Sequence, residues 1–418
     1  MGINWKRNLL VSSSMAFLIF LGFGLIIPLF PLYVEQLGGG GLEVGFLMAS
    51  FMFTKAFLAR PFGRLSDRIG RKRVIVSGMF LYAILAYLFT LPGQWWGLIA
   101  VRIMQGTASA MVWPVGEALV VDSAPPSKRS RAISFYIFFS NSGFVAGPLL
   151  SGAVLFWSQE ILGMGLLQSY RTPFYFTSAI SLIGAIIGLL FLQDVLKPAR
   201  DRKRMKLFEI QAAKSLKKSV RRSLNVLYVN SLFEGLSWSM ASVVMVFFMA
   251  RNFGMSARTF SILFGSAQGL ALVFVLLSGV LSDRYRKKPF IVYGSLGSRL
   301  STIIMSFSPL FPLGRIIAIV TFAAKDMGRQ IAMPATRSLQ ADLVPGRIRG
   351  KLIGTIQAFS NVGAVIGPIF GGLVWDLTKG RIFEFHTLHL PGDSVPFLIS
   401  AVLGITGALL VKRYVVER

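Results

Sequence analysis

The chain has no cysteine and only two histidines in its 418 residues. The first absence removes disulfides, thiolate nucleophiles and sulfur metal sites. The second leaves only His386 and His389, three positions apart in one polar stretch, where a stray surface pair fits better than a metal centre. No Gly-x-x-x-x-Gly-Lys-Ser/Thr loop is present to mark an ATP-driven pump, and no nucleophile and base stand together to mark an enzyme, so no metal or cofactor is expected. Acids are also scarce, with 17 Asp and Glu against 44 Lys and Arg, a net charge of +27. Charged residues make up only 15% of the chain, where a soluble domain carries about 25%.

Apolar residues fill the gap: 54% of the chain is hydrophobic and mean hydropathy is +0.65. A helix needs about 20 predominantly apolar residues to cross a bilayer. Twelve such runs are read, over 8–34, 43–62, 74–92, 96–121, 132–156, 174–193, 224–250, 259–280, 290–310, 314–341, 352–375 and 395–413. The first is taken as a span, because it is too long for a cleaved signal and has no small-residue cleavage site before Glu35. In a soluble protein so basic a chain would suggest nucleic acid. Here most of the bases fall between spans on one side, only Arg171, Arg251, Arg258, Lys379 and Arg381 fall on the other, and the rest lie in or at the edges of spans. That asymmetry puts both termini in the cytoplasm, in a plasma (inner) membrane, and excludes a nucleic-acid partner.

The chain also repeats itself. Gly63-Arg64-Leu65-Ser66-Asp67-Arg68-Ile69-Gly70-Arg71-Lys72-Arg73 joins two runs, and Gly279-Val280-Leu281-Ser282-Asp283-Arg284-Tyr285-Arg286-Lys287-Lys288 echoes it 216 positions on, from 67 to 283. A second register, offset by 220, matches Pro114 to Pro334, Asp122 to Asp342, Asn141 to Asn361, Gly143 to Gly363, Gly147 to Gly367 and Pro148 to Pro368. Repetition at half the chain length implies two six-span bundles related by an axis along the membrane normal. The expected domains are 1–193 and 224–418, joined by the basic segment 194–223. There Met205, Phe208, Ala212, Leu216 and Val220 recur near helical spacing, as in an amphipathic helix on the anionic cytoplasmic leaflet; a disordered basic linker is the alternative.

The stretch around Asp67 is expected as a charged surface loop, either a simple positive-inside anchor or a latch between helices, with Gly63 allowing close approach. It resembles the signature loop between spans 2 and 3 of the major facilitator superfamily, carried by Gly63, Asp67, Arg68, Gly70 and Arg71, with a weaker copy at Asp283 and Arg284. The resemblance implies an all-α membrane protein of twelve helices in two pseudo-symmetric six-helix bundles. In span 4, Arg102-x-x-Gln105-Gly106 is similar to that family's motif associated with proton coupling; a structurally bonded Arg is the alternative. In span 5, Gly143, Gly147, Pro148 and Gly152 resemble the motif of its drug–proton antiporter branch, with Ser151 where the family form has Gly; a small-residue packing face is the alternative.

Charges inside spans are costly and point to function by default. Three acids lie there, Glu117, Glu234 and Asp326, and low dielectric favours the neutral form of a carboxylate, so each is a proton-coupling candidate with Arg102. Glu234 has no partner nearby in sequence and ranks first; Asp326 is flanked by Lys325 and Arg329 and could be a fixed ion pair. An acid in span 7 with another in span 10 resembles the proton sites of some bacterial drug antiporters. The repeat sets Glu117 against Arg337, a candidate cytoplasmic gate. Candidate cavity walls are Phe23, Lys55, Trp113, Phe139, Trp238, Phe247, Arg299, Lys325 and Arg329, since aromatics suit lipophilic substrates; ordinary helix packing is the alternative for the aromatics. The function expected is proton-coupled efflux of lipophilic compounds by a monomer among membrane lipids. Transport of an anionic or lipid-like substrate, or of a nutrient by symport, is the rival.

Overall fold

The computed structural model describes residues 4–195, 218–344, 346–385 and 388–417, with side chains except at 276–277, 279–284, 341, 346–351, 385 and 388–389. The basic stretch 196–217 and His386 therefore lie outside the described residues, as do the side chains of Asp283, Arg284 and His389.

All twelve expected runs fall on helices. The first is split into α1 (Trp5–Ile26) and α2 (Phe30–Gln36). Pro28 has no N–H to donate, and the turn tightens so that Leu29 N bonds Ile26 O at 3.2 Å. Pro31 then starts α2, where a missing N–H costs nothing. The rest are α3 (Gly41–Ile69), α4 (Arg71–Leu88), α5 (Leu98–Ser123), α6 (Arg129–Phe156), α7 (Leu166–Phe191), α8 (Lys218–Phe253), α9 (Ala257–Arg284), α10 (Lys287–Phe307), α11 (Gly314–Asp342), α12 (Gly346–Thr378) and α13 (Val395–Tyr414). Among the described residues, ten helical segments are long and apolar enough to cross a membrane by length and composition. The two runs outside that set are the charged ones: α4 opens on Arg71, Lys72 and Arg73, and α11 carries Lys325, Asp326 and Arg329.

Packing divides the chain into two compact units, Met1–Ala199 with Met255–Ser266, and Arg200–Gly254 with Ala267–Arg418. In the first, α1 packs on α6 and α7, α3 on α5, and α4 on α5 and α7. In the second, α8 packs on α12 and α13, and α10 on α11 and α13.

The glycines of the span-5 motif make the α1–α6 crossing. A Cβ on Gly147 would stand 2.5 Å from Leu21 O and 2.7 Å from Gly24 Cα, and one on Gly143 would strike the backbone of Phe17. The second unit repeats this: Cβ atoms on Gly367 and Gly371 would stand 2.6 Å from Leu236 O and Met240 O of α8. Backbones meet there because no side chain intervenes. Gly152 faces Ile262 instead.

Two features depart from expectation. The stretch around Asp67 is no loop: α3 continues to Ile69, and Gly70 is the single residue between α3 and α4. Nothing before Gly70 breaks the helix, and Ser66 Oγ turns back onto Gly63 O at 2.8 Å. Gly63 has open space where a Cβ would stand, so it makes no close approach among the described residues. The stretch between α12 and α13, read only as a polar connection, forms a hairpin in which β1 (Ile382–Phe385) pairs antiparallel with β2 (Leu388–Pro391). Buried Asp393 anchors it, accepting from Gly380 N at 3.0 Å and Asn252 Nδ2 at 3.2 Å, with Arg251 Nε at 3.4 Å.

Candidate functional site

In the first unit, Arg102 on α5 is 3% exposed. Its guanidinium lies over Phe30 at 3.7 Å, with Phe89 at 5.4 Å and Phe51 at 5.7 Å, and donates to Gln105 Oε1 at 2.9 Å. Among the described residues no carboxylate pairs with it. Aromatic faces substitute for a counter-ion, each such contact contributing about 0.5–2 kcal/mol. Arg102 thereby ties α2, α3 and the end of α4 to α5.

About three helical turns further along α5 stands Trp113. Phe20 stacks on it at 4.7 Å and Phe23 meets it edge-on at 5.7 Å; Phe23 also stacks on Phe51 at 5.8 Å. Lys55 of α3 places Nζ over the Trp113 ring at 3.6 Å, and the Glu117 carboxylate is the charge that acts on Lys55. Phe139 packs instead with Phe135 and Phe138 on its own helix.

The second unit holds the denser cluster. Arg299 of α10, 5% exposed, ion-pairs with Glu234 Oε2 of α8 at 2.5 Å. Glu234 Oε1 has no hydrogen-bond partner. Gly404 of α13 makes the room, since a Cβ there would strike the Arg299 guanidinium. Asp326 of α11, 3% exposed, accepts from Gln268 Nε2 of α9 at 3.0 Å and has Lys325 Nζ at 3.8 Å from its other oxygen. Lys325 also feels Arg299 and Arg329. Arg329 lies over Trp238 at 5.5 Å, with its Nε unpartnered.

Sequence order ranked Glu234 first because no partner stood nearby. The fold supplies one 65 positions away, from 234 to 299. Asp326 does have Lys325 beside it, but its nearer contact is Gln268, whose signal was a lone amide in an apolar run. Phe247, expected on a cavity wall, is 6% exposed and stacked on Trp375 of α12 at 5.9 Å; it packs the unit's interior.

At the other end of each unit lies a staple. Arg71 bonds Asp67 at 3.1 Å and Asp122 of α5 at 2.5 Å. Asp194, just past α7, accepts from the backbone N–H of Arg71 at 2.9 Å and of Lys72 at 3.3 Å. A carboxylate at a helix N-terminus satisfies orphan donors and the dipole together. Gly70 has φ +102°, and a Cβ there would collide with Asp194. The second unit repeats the design: Lys287 pairs with Asp342, and Glu417 past α13 accepts from Lys287 N and from Lys288 N at 3.4 Å. Arg68 is exposed at the end of α3, and Arg337 is exposed on α11. Asp194 and Glu417 were not singled out in the sequence; each is the first or last acid beyond a sixth span, and only its meeting with another helix gives it meaning.

Two membrane bundles built on one repeat, with charged clusters inside their spans, define a polytopic membrane transporter rather than an enzyme. The Major Facilitator Superfamily model matches residues 13–233 and 227–418, and the chain belongs to that family. It is 26% identical over 407 residues to Multidrug resistance protein 2 of Bacillus subtilis (strain 168), covering 96% of this chain and 94% of that one. It is 25% identical over 376 residues to Quinolone resistance protein NorA of Staphylococcus aureus (strain MSSA476), covering 89% and 91%. Among solved structures, a bacterial homologue of the human lysosomal transporter Spinster, inward-facing and occupied, superposes with TM-score 0.78 at 16% identity over 97% of this chain and 95% of that one. A D-xylose–proton symporter gives 0.73 at 16% identity over 99% and 98%. These structures share the fold.

Proposed function

We propose that this transporter exports lipophilic, drug-like compounds in exchange for protons, by alternating access, from a plasma membrane with both chain termini in the cytoplasm. The observation that carries the reading is the pair of membrane carboxylates in the second unit, Glu234 and Asp326, each gripped by a partner from a different helix. Glu234 retains one oxygen with no partner. A proton arriving there would cancel the attraction to Arg299 that joins α8 to α10. Such a ligand shifts a two-state equilibrium because it binds the two states unequally. The relatives named for multidrug and quinolone resistance support the same direction of transport. Arg102, without a carboxylate, is assigned a positioning part. Glu117 and Arg337 are assigned to a cytoplasmic gate, which cross-linking of cysteines at the two positions would test: failure in every state removes it. The protein is taken as a monomer working among lipids.

Efflux of a fluorescent lipophilic compound from proteoliposomes under an imposed pH gradient tests the reading. Glu234→Gln and Asp326→Asn should each abolish gradient-driven transport while leaving counterflow. Full gradient-driven transport by both variants would overturn the proton assignment.

A rival reading draws on the same spans. Lys55, Arg102, Arg299, Lys325 and Arg329 outnumber Glu117, Glu234 and Asp326, which favours a substrate carrying negative charge.

A further inference from the structure

A cavity of about 660 Å³ opens in the second unit between the start of α10, the end of α11 and the end of α13. Four cations line it, Arg286, Lys287, Lys288 and Arg413, against two acids, Asp342 and Glu417. Both acids are committed, Asp342 to Lys287 and Glu417 to the backbone N–H groups of Lys287 and Lys288. Lys288 Nζ donates to Val415 O at 2.8 Å, and an ammonium has two further hydrogens to give. Arg286 and Arg413 are exposed and pair with no carboxylate among the described residues. Arg413 lies over the Tyr414 ring at 5.4 Å, and Arg222 of α8 lies over the same ring at 4.2 Å. The staple does not require the two arginines, because the first unit builds its own without them. Arg286 stands 216 positions after Gly70, and Glu417 takes the place of Asp194, 223 positions earlier, so Arg413 stands where the first unit has Leu190. Below the cavity, seven-residue spacing sets Tyr293 and Leu300 on the same face of α10 as Arg286. They are 66% and 57% exposed, and Tyr285 at the mouth is 65% exposed. Cations, then tyrosines, then an apolar face follow the order of headgroup, interface and chains in a bilayer leaflet.

We propose that Arg286, Lys288 and Arg413 form a site for the phosphate of an acidic phospholipid, whose chains lie along Tyr293 and Leu300 of α10. Guanidinium forks match the oxygens of a phosphate two at a time. A zwitterionic lipid brings the same phosphate with a cation that the cavity repels. A soluble phosphate lacks the chains that the exposed face of α10 would hold. The inference needs neither proton coupling nor a direction of transport, and stands apart from the export reading.

Native mass spectrometry of the full chain in neutral detergent tests it, reading the affinity of the first lipid bound. The probes are dioleoylphosphatidylglycerol and dioleoylphosphatidylcholine, which share chains and phosphate and differ in headgroup charge. The wild type should bind the acidic lipid about tenfold or more tighter, as expected of two or three cations at a membrane surface. The double variant Arg286→Gln/Arg413→Gln should lose that preference while binding phosphatidylcholine as before. Lys6→Gln/Arg73→Gln, which removes two exposed cations of the first unit, should keep it. Equal wild-type affinity for the two lipids overturns the proposal without any variant, so a folding defect cannot shelter it. An undiminished preference in Arg286→Gln/Arg413→Gln overturns it too. An equal loss in both double variants would reduce the effect to net charge and overturn the site. Displacement of the acidic lipid by glycerol 3-phosphate at equal concentration would assign the cavity to a soluble anion and overturn the lipid.

Discussion

Arg299 occupies the volume that a side chain at position 404 would fill. Gly404→Leu should therefore expel the guanidinium from Glu234 and reproduce the transport loss of Arg299→Gln. Gradient-driven efflux at the wild-type rate in Gly404→Leu would contradict this. Removing one partner of a buried ion pair costs more than removing both, because the survivor stays buried and unpaired. A thermal double-mutant cycle of Arg299→Gln and Glu234→Gln should show about 1–3 kcal/mol of coupling. That is below the fully buried range because the Glu234 side chain keeps 29% exposure. The acids themselves were legible in the sequence, since a carboxylate in an apolar run stands out. Their partners were not: Arg299 and Gln268 lie on other helices, and linear order says nothing about which helix faces which. Lys325, by contrast, was legible as a neighbour of Asp326, at 3.8 Å in the structure.

At the scale of elements, three glycines that look alike in sequence do different work. Gly147 lies where α1 and α6 backbones touch, Gly70 where α3 turns into α4, and Gly63 in open space. Gly147→Val should push the crossing apart and cost about 1–3 kcal/mol, as overpacking does, read as a lower melting temperature in detergent. Gly367→Val should do the same to the α8–α12 crossing of the second unit. Gly63→Ala should leave stability unchanged or raise it by about 0.5–1 kcal/mol, because alanine is the better helix former. A melting temperature lowered as far as in Gly147→Val would refute the open environment at 63. The repeat in sequence predicted that Gly143 and Gly147 have counterparts at 363 and 367. It could not say that the signature stretch continues as helix, because helix and charged loop compete closely over Gly63–Ile69, and the turn is placed by the positive φ of Gly70.

For the molecule as a whole, internal duplication extends to the staples. Asp194 caps α4 and Glu417 caps α10, each carboxylate reaching back from just beyond its unit's sixth span. Asp194→Asn and Glu417→Gln should each weaken a helix start by about 1 kcal/mol, measured as loss of protection from hydrogen exchange in the first turns of α4 and α10 respectively. Unchanged protection in both would show that the carboxylates are incidental. The duplication was visible as two registers, 216 and 220, and it fixed the expectation of paired six-helix bundles before any contact was known.

Hydropathy runs, charge asymmetry and the repeat by themselves determined that this chain spans a membrane many times in two related halves, because hydrocarbon admits only segments that satisfy their own backbone bonds. They also determined which few ionisable residues lie at membrane depth, because each interrupts an apolar run. Only the tertiary structure decided how those charges are matched: Glu234 with Arg299, Asp326 with Gln268, Arg102 with aromatic rings, and Lys55 with an indole and the charge of Glu117. Such matches depend on helix rotation and crossing, which are set by where glycines let backbones touch, and they join residues far apart in the chain.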